Sequence, residues 1–158
     1  MKRRLARFLR LPALERRLIL EAAAWLALAE AAIHLLPFRR IAPHLGHHMS
    51  ETPERAPPEG EGTAKQVGYA VRRAARHLPW RCRCLVQAMA GKVMLGRRDI
   101  QSTLYLGVAR GEPDIRAHAW LRVGGVTLID GEHCGDFTVV CSFADPGSRV
   151  GRQRKQVT

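Results

Sequence analysis

The sequence is poor in acidic and aromatic residues. It has 14 Asp and Glu against 26 Lys and Arg, which gives a formal net charge of +12. Such an excess attracts anionic partners, whether nucleic acid, lipid headgroups or acidic peptides. Aromatic residues make up only 6% of the chain, and no nucleic-acid-binding motif accompanies the dispersed arginine pairs. We therefore predict no nucleic-acid partner and assign the charge to an acidic protein or peptide.

The sequence also lacks a convincing export signal. Its start, Met1-Lys2-Arg3-Arg4, resembles the basic end of a signal peptide, but the apolar stretch comes late, after Glu15-Arg16-Arg17, and shows no cleavage pattern. We expect a cytoplasmic protein whose four cysteines are free thiols in a reducing compartment. The length of 158 residues suits one domain, and no internal repeat is visible.

The N-terminal part is rich in Leu and Ala and predicts a helix over residues 5–36. Its most apolar run, residues 18–36, approaches the length of a membrane span, but it contains Glu21 and Glu30, and an unpaired carboxylate in hydrocarbon is costly. We expect a mostly buried helix or one that docks on a partner protein. Membrane contact is possible but is the less favoured alternative.

The remaining chain predicts an α+β fold in which N-terminal helices pack on an antiparallel sheet. Helical spacing marks residues 63–78 and 84–95, and alternating patterns mark strands at 102–108, 116–123, 126–129 and 137–142. Gly124-Gly125 is a hairpin signal between two of these strands. We divide the chain into an N-terminal helical segment (1–42), a flexible, exposed linker (43–62), a catalytic core (63–145) and a basic tail (146–158).

Three side chains fit one catalytic arrangement. Pro79-Trp80 breaks the preceding helix, so Cys84 falls in the first turn of the next one, where unpaired N–H groups and the helix dipole stabilise a thiolate. His118 lies inside the apolar strand Ala117–Leu121, where a buried imidazole needs a hydrogen-bond partner. The hairpin returns Asp130 alongside His118, so its carboxylate can hold the Nδ1–H group and leave Nε2 for the thiol.

Each residue also has an interpretation that involves no catalysis. Cys84 taken alone is more often a buried structural cysteine, and His118 a satisfied core histidine. Asp136 and Glu132 are rivals of Asp130 for the third position. A zinc site formed by Cys82, Cys84, His133 and Cys134 is a further alternative, although their spacing fits structural zinc sites poorly. We expect no bound metal and no cofactor.

Several motifs together resemble the transglutaminase-like (papain-like cysteine protease) fold of lasso-peptide maturation proteases. They are Pro79-Trp80-Arg81-Cys82-Arg83-Cys84-Leu85-Val86-Gln87-Ala88, the strand Ser102–Val108, and Ala117-His118-Ala119-Trp120-Leu121. The Leu/Ala-rich helix ending in Leu-Pro-Phe-Arg-Arg also resembles that family, so the match covers most of residues 10–145. By position within these motifs, Cys84 matches the nucleophile, His118 the general base and Asp130 the third member; Cys82 is an extra thiol.

The resemblance implies removal of a leader peptide. The substrate is then a precursor peptide with an N-terminal leader and a C-terminal core, and an asparagine-synthetase-like cyclase joins the freed amine to a side-chain carboxylate. Because residues 1–62 read as helix plus linker, with no room for the small leader-recognition domain that some members carry, we expect a separate leader-recognition protein. A peptide-binding protein of the same fold without catalysis, and an acyl transfer to an amine instead of water, remain alternatives.

Overall fold

The computed structural model of the chain describes residues 8–54, 58–111 and 114–145. These residues form the helices α1 (Ala13–Leu35), α2 (Phe38–Ile41), α3 (Pro58–Ala75) and α4 (Cys84–Gly96). Two 3-10 helices, Ala42–Leu45 and Gly131–Asp136, connect longer elements. The predicted helices over 63–78 and 84–95 are therefore present, the first displaced towards the N-terminus.

The second half of the chain forms an antiparallel sheet. Its strands are β1 (His47–His48), β2 (Thr103–Arg110), β3 (Ile115–Val123), β4 (Val126–Ile129) and β5 (Thr138–Ala144), in the order β1-β5-β2-β3-β4. Gly124 has φ 54°, in the left-handed region that a tight hairpin requires, and Val123 pairs with Val126 across the turn. The predicted α+β fold and the predicted hairpin are both confirmed.

Helix α1 packs one side on α3 and α4 and leaves the other exposed. It begins after Pro12 and ends at Leu35, two residues before Pro37, because proline disfavours continuation of a helix. Its buried residues recur at helical spacing: Leu18, Ile19, Ala22, Leu26 and Ala29. Only 28% of the residues in its most apolar 18-residue stretch are buried, so the alternative of a mostly buried helix is wrong.

By length and composition alone, α1 is apolar enough to cross a membrane, with a mean hydropathy of 1.6. Core helices of soluble proteins and signal sequences near an N-terminus meet the same criterion. This property alone therefore assigns no location to the chain.

Helix α4 is the centre of the core, between α1 and the sheet. It is apolar on nearly every side, as expected for a helix covered all round. Gly91 lets it approach the sheet, since a Cβ there would lie 2.5 Å from Ile129 Cδ1 and 2.9 Å from Leu121 Cδ2. The middle of α4 is thereby held next to β3 and β4.

A buried polar network surrounds Lys92, the residue that follows Gly91 in α4. The Lys92 side chain is 3% exposed; its Nζ donates to the Ser102 carbonyl at 2.9 Å and pairs with Asp145 at 3.1 Å. Burial lowers the pKa of Lys92, and the Asp145 carboxylate opposes that shift. Because Asp145 also accepts from the Ser102 N–H at 2.9 Å, the network joins α4, the start of β2 and the end of β5.

The predicted linker, residues 43–62, contains ordered contacts that its composition did not indicate, although most residues of the stretch 43–54 are exposed. Leu45 is only 2% exposed, and β1 pairs with β5 through His47 and His48. The buried Thr52 donates its N–H to Thr103 Oγ1 at 2.9 Å, and α3 already begins at Pro58. Backbone hydrogen bonds explain the difference, because they order a polar segment without apolar side chains. The predicted tail, 146–158, lies outside the described residues.

Candidate active site

Cys84 is the first residue of α4. The preceding residue, Arg83, has extended backbone angles (φ −70°, ψ 160°) and makes no side-chain capping hydrogen bond, and no acidic residue lies in the first turn. The N–H groups at this helix start are therefore not capped by Arg83 or opposed by a carboxylate within their own turn. Their dipoles favour negative charge on a half-buried sulfur such as Cys84 Sγ.

His118 lies in the middle of β3, next to two aromatic rings. Its ring centroid is 5.9 Å from that of Trp120, in a stacked arrangement, and 4.9 Å from that of Phe137. Trp120 belongs to the same strand face, as two-residue alternation predicts, whereas Phe137 lies between the second 3-10 helix and β5. Packing against these two rings restricts the imidazole.

Gly107 makes possible the packing of Trp120 and Phe137 against His118, which we call the aromatic bracket. It is the β2 residue paired with His118. A Cβ at Gly107 would lie 2.8 Å from Trp120 Cη2 and Cζ3 and 2.9 Å from Phe137 Cβ, which is closer than real Cβ contacts. The absent side chain is therefore what lets Trp120 and Phe137 close around His118.

Asp130 follows directly after β4 and has a left-handed backbone (φ 54°, ψ 36°). Asp is one of the few residues besides Gly that adopt this conformation readily. The turn presents its carbonyl oxygen to His118 Nε2 at 2.9 Å. Since a carbonyl only accepts, Nε2 carries the proton, and Nδ1 of the neutral ring is left with a free lone pair.

This hydrogen bond corrects two details of the sequence interpretation. The contact is made by Nε2 rather than Nδ1, and by the Asp130 main chain rather than its carboxylate. Asp130 also does not lie opposite His118 in the ladder, because Leu121 pairs with Ile129, so that Asp130 follows the last pair on the side of Trp120. The nitrogen available to a thiol is therefore Nδ1.

The three predicted residues do come together. One ring nitrogen of His118, Cys84 Sγ and one carboxylate oxygen of Asp130 all lie within 4.8 Å of one another, and all three residues are half-buried. Asp136, the predicted rival, is exposed at the end of a 3-10 helix and is not in this group. The side chain of Glu132, the other rival, lies outside the described part of the chain.

The same three residues are the one group among the described residues that could hold a metal ion with three or more Cys, His, Asp or Glu ligands. Cys82 and Cys134, two members of the predicted zinc alternative, do not belong to this group. The side chain of His133, a third member, is not described. The donor set of Cys84, His118 and Asp130 would suit zinc chemically, with a fourth position left open.

Cys82 has a different environment from Cys84. Burial raises the pKa of the Cys82 thiol, the Glu30 charge raises it further, and the Trp80 indole opposes the shift. A raised pKa keeps a thiol protonated and so makes it a poorer nucleophile. The Cys82 carbonyl accepts a hydrogen bond from Gln87 Nε2 at 3.0 Å, which fixes the loop that leads into Cys84.

Gly107, Phe137 and Gln87 are the positioning residues that the sequence interpretation did not assign. Gln87 lies inside the quoted cysteine motif, one turn after the proposed nucleophile, and its amide is therefore within reach of the preceding loop. Gly107 lies within the predicted strand 102–108, and a glycine inside a strand often marks the close approach of another group to the backbone. This was the sequence signal available for Gly107.

Comparison with protein families found a match to the transglutaminase-like superfamily over residues 32–142. The matched region runs from the last residues of α1 into β5 and contains Cys84, His118 and Asp130. A comparison with curated proteins and one with solved structures each found no match.

Proposed function

The chain belongs to the transglutaminase-like superfamily, and on that premise we propose that it is a cysteine protease that removes the leader peptide from a lasso-peptide precursor. The observation that carries the proposal is the meeting of a helix-start cysteine, a bracketed histidine and an aspartate within 4.8 Å. The choice of substrate rests on the motifs around Cys84 and His118, which resemble those of lasso-peptide maturation proteases.

In the first half of the reaction, His118 Nδ1 accepts the Cys84 thiol proton. The thiolate attacks the carbonyl carbon of the last leader residue, and the Cys84 backbone N–H, among others at the helix start, stabilises the oxyanion. The carbon–nitrogen bond then breaks as the imidazolium returns its proton to the departing amine. The leader remains as a thioester on Cys84, and the core leaves with a free N-terminus.

In the second half, His118 deprotonates a water molecule that attacks the thioester, and the carbon–sulfur bond breaks. The sulfur recovers a proton from His118, and the leader leaves as a carboxylic acid. Asp130 supports both halves: its main chain holds Nε2–H, and its carboxylate lies close enough to stabilise the imidazolium.

Two partners belong to this proposal. A separate leader-recognition protein delivers the precursor, and an asparagine-synthetase-like cyclase consumes the released core amine. Both act with this protein in the cytoplasm. Pull-down of either protein with the purified chain supports the two partner assignments, whereas no association with either contradicts them.

The test is precursor cleavage by matched cysteine variants in the presence of the recognition protein. Cys84→Ala is expected to abolish cleavage, and Cys82→Ala, which removes the neighbouring thiol, is expected to retain it. Mass analysis of the released leader distinguishes a free acid from an amide and so separates hydrolysis from transamidation. Normal cleavage by both variants would show that the nucleophile is wrongly assigned, and specific precursor binding without cleavage would favour a non-catalytic peptide-binding protein.

Zinc binding is a second candidate function, favoured by the clustered ligand atoms of Cys84, His118 and Asp130. It predicts stoichiometric zinc in the purified protein, loss of that zinc in Cys84→Ala, and unfolding on chelation. A metal-free protein that cleaves the precursor excludes it.

A further inference from the structure

The outward side of α1 is a long apolar surface that no other element among the described residues covers. Its exposed apolar residues, which we call the outer face, are Leu14, Leu20, Ala24, Ala27, Leu28, Ala31 and Leu35. The four leucines are 57–79% exposed. From Leu14 to Leu35 the face is about 30 Å long, at 1.5 Å per residue. An exposed apolar stripe of this length marks an interaction surface.

The acidic residues of α1 are each paired with a basic side chain. Glu15 pairs with Arg73 at 2.7 Å, Glu21 with Arg98 at 2.6 Å, and both arginines belong to other helices or their ends. Glu30 is half-buried and pairs with His34, one turn further along α1, at 3.0 Å. Arginine partners therefore neutralise Glu15 and Glu21, which would otherwise repel an anionic surface, and Glu30 is hydrogen-bonded within its own helix.

The charged side chains that remain exposed around the outer face are basic. Arg10 and Arg17 lie at its start, and Arg39 and Arg40 lie just beyond its end. Among the described residues from 8 to 50, none of the acidic side chains is exposed. An apolar stripe with positive charge at both ends is complementary to a bilayer surface that has apolar chains below negative headgroups.

We propose that the outer face of α1 docks on a membrane that contains anionic phospholipid. The helix lies parallel to the surface: its leucines enter the boundary between headgroups and acyl chains, and the four arginines contact phosphates. It does not cross the bilayer, because its other side is fixed in the core, where Leu26 is 0% exposed. The chain is then a peripheral protein whose catalytic side remains in water.

Charge and hydrogen bonding argue against two other partners for the outer face. A second copy of this chain, in either helix orientation, would bring arginines at the ends of one face next to those of the other, without a carboxylate between them. A typical protein partner would bring about one hydrogen bond per 100–200 Å² of interface. The outer face between Arg17 and His34 offers only aliphatic side chains, so lipid is the better match.

The test is sedimentation of the full chain with vesicles of phosphatidylcholine alone or with about 30% phosphatidylglycerol. We expect binding to the anionic vesicles only, and a decrease in binding as NaCl rises from about 0.05 to 0.5 M because salt screens the arginines. Leu20→Glu/Leu28→Glu is expected to lower the bound fraction roughly tenfold or more, because two leucines no longer enter the bilayer.

The matched control is Ile115→Glu/Val140→Glu, which makes the same change of charge and apolarity at exposed sheet residues, 76% and 52% exposed. It is expected to bind like the unchanged protein. Equal loss of binding in both variants would show that net charge alone acts, and absence of binding to anionic vesicles would overturn the proposal. A dimer in sedimentation velocity that only Leu20→Glu/Leu28→Glu dissociates would assign the face to a second copy. Circular dichroism of each variant confirms that the fold is retained.

Discussion

Replacing Gly107 with alanine tests whether the aromatic bracket positions His118. The new Cβ would lie 2.8 Å from the Trp120 ring and 2.9 Å from Phe137 Cβ, whereas ordinary contacts begin at 3.4 Å. Each contact is therefore about half an ångström too short. Trp120 is only 6% exposed and Phe137 Cβ is next to the backbone, so neither atom moves freely. Overpacking of this kind costs about 1–3 kcal/mol of unfolding free energy.

The displacement should also reach the chemistry. Trp120 stacks on His118, and Phe137 also packs against the imidazole, so moving either ring is expected to disturb the hydrogen bond to Asp130. A misplacement approaching 1 Å can lower a rate up to about a hundredfold. We expect Gly107→Ala to lower kcat for precursor cleavage by about ten- to a hundredfold, measured at a temperature where the variant is fully folded.

Gly62→Ala is the matched control for this variant. A Cβ at Gly62 meets nothing within 4 Å, and the residue is exposed in α3. It should therefore increase the unfolding free energy by about 0.5–1 kcal/mol and leave cleavage unchanged. Urea denaturation followed by circular dichroism measures both variants. If Gly107→Ala is as stable and as active as the unchanged protein, the bracket does not position His118.

Two further predictions concern stability. Hydrogen bonds from Arg98 lower the pKa of Glu21 below its ordinary 4.5. The pair therefore stabilises the fold fully above pH 4.5 and progressively less as the pH falls through the folded-state pKa. Glu21→Gln should lower the free energy of unfolding in urea by about 1–2 kcal/mol at pH 7 and by less in acid, and a loss independent of pH would refute the assignment. Thr103→Val removes the acceptor of the buried Thr52 N–H at 2.9 Å and should lower the free energy of unfolding by about 1–3 kcal/mol. Limited proteolysis should then cut within residues 50–58 sooner. An unchanged cleavage pattern would contradict the role given to this contact.

The strand and helix pattern was predictable where periodicity and turn chemistry agree. Val126–Ile129 was predicted with its observed bounds because Gly124-Gly125 precedes it and a glycine follows it. The start of α4 at Cys84 followed from Pro79-Trp80, since a proline ends the preceding helix. These local signals were sufficient to bring Cys84, His118 and Asp130 together.

Other features depend on contacts that local patterns do not encode. β1 consists of two exposed histidines that pair with β5 through backbone groups, so its residues show no strand pattern. The choice of Nε2 on His118 follows from the left-handed turn at Asp130, which directs a carbonyl towards the ring. The exposed side of α1 was not readable either, because leucine and alanine occur on both sides of that helix.

Trapping of the acyl-enzyme tests the central claim most directly. The protein is mixed with precursor and recognition protein, quenched in acid within one turnover, and analysed by intact mass and peptide mapping. We expect the mass of the leader acyl group on Cys84, its release by hydroxylamine as a thioester requires, and the same adduct in Cys82→Ala. An adduct on Cys82, or precursor cleavage in Cys84→Ala, would contradict the assignment of Cys84 as the nucleophile.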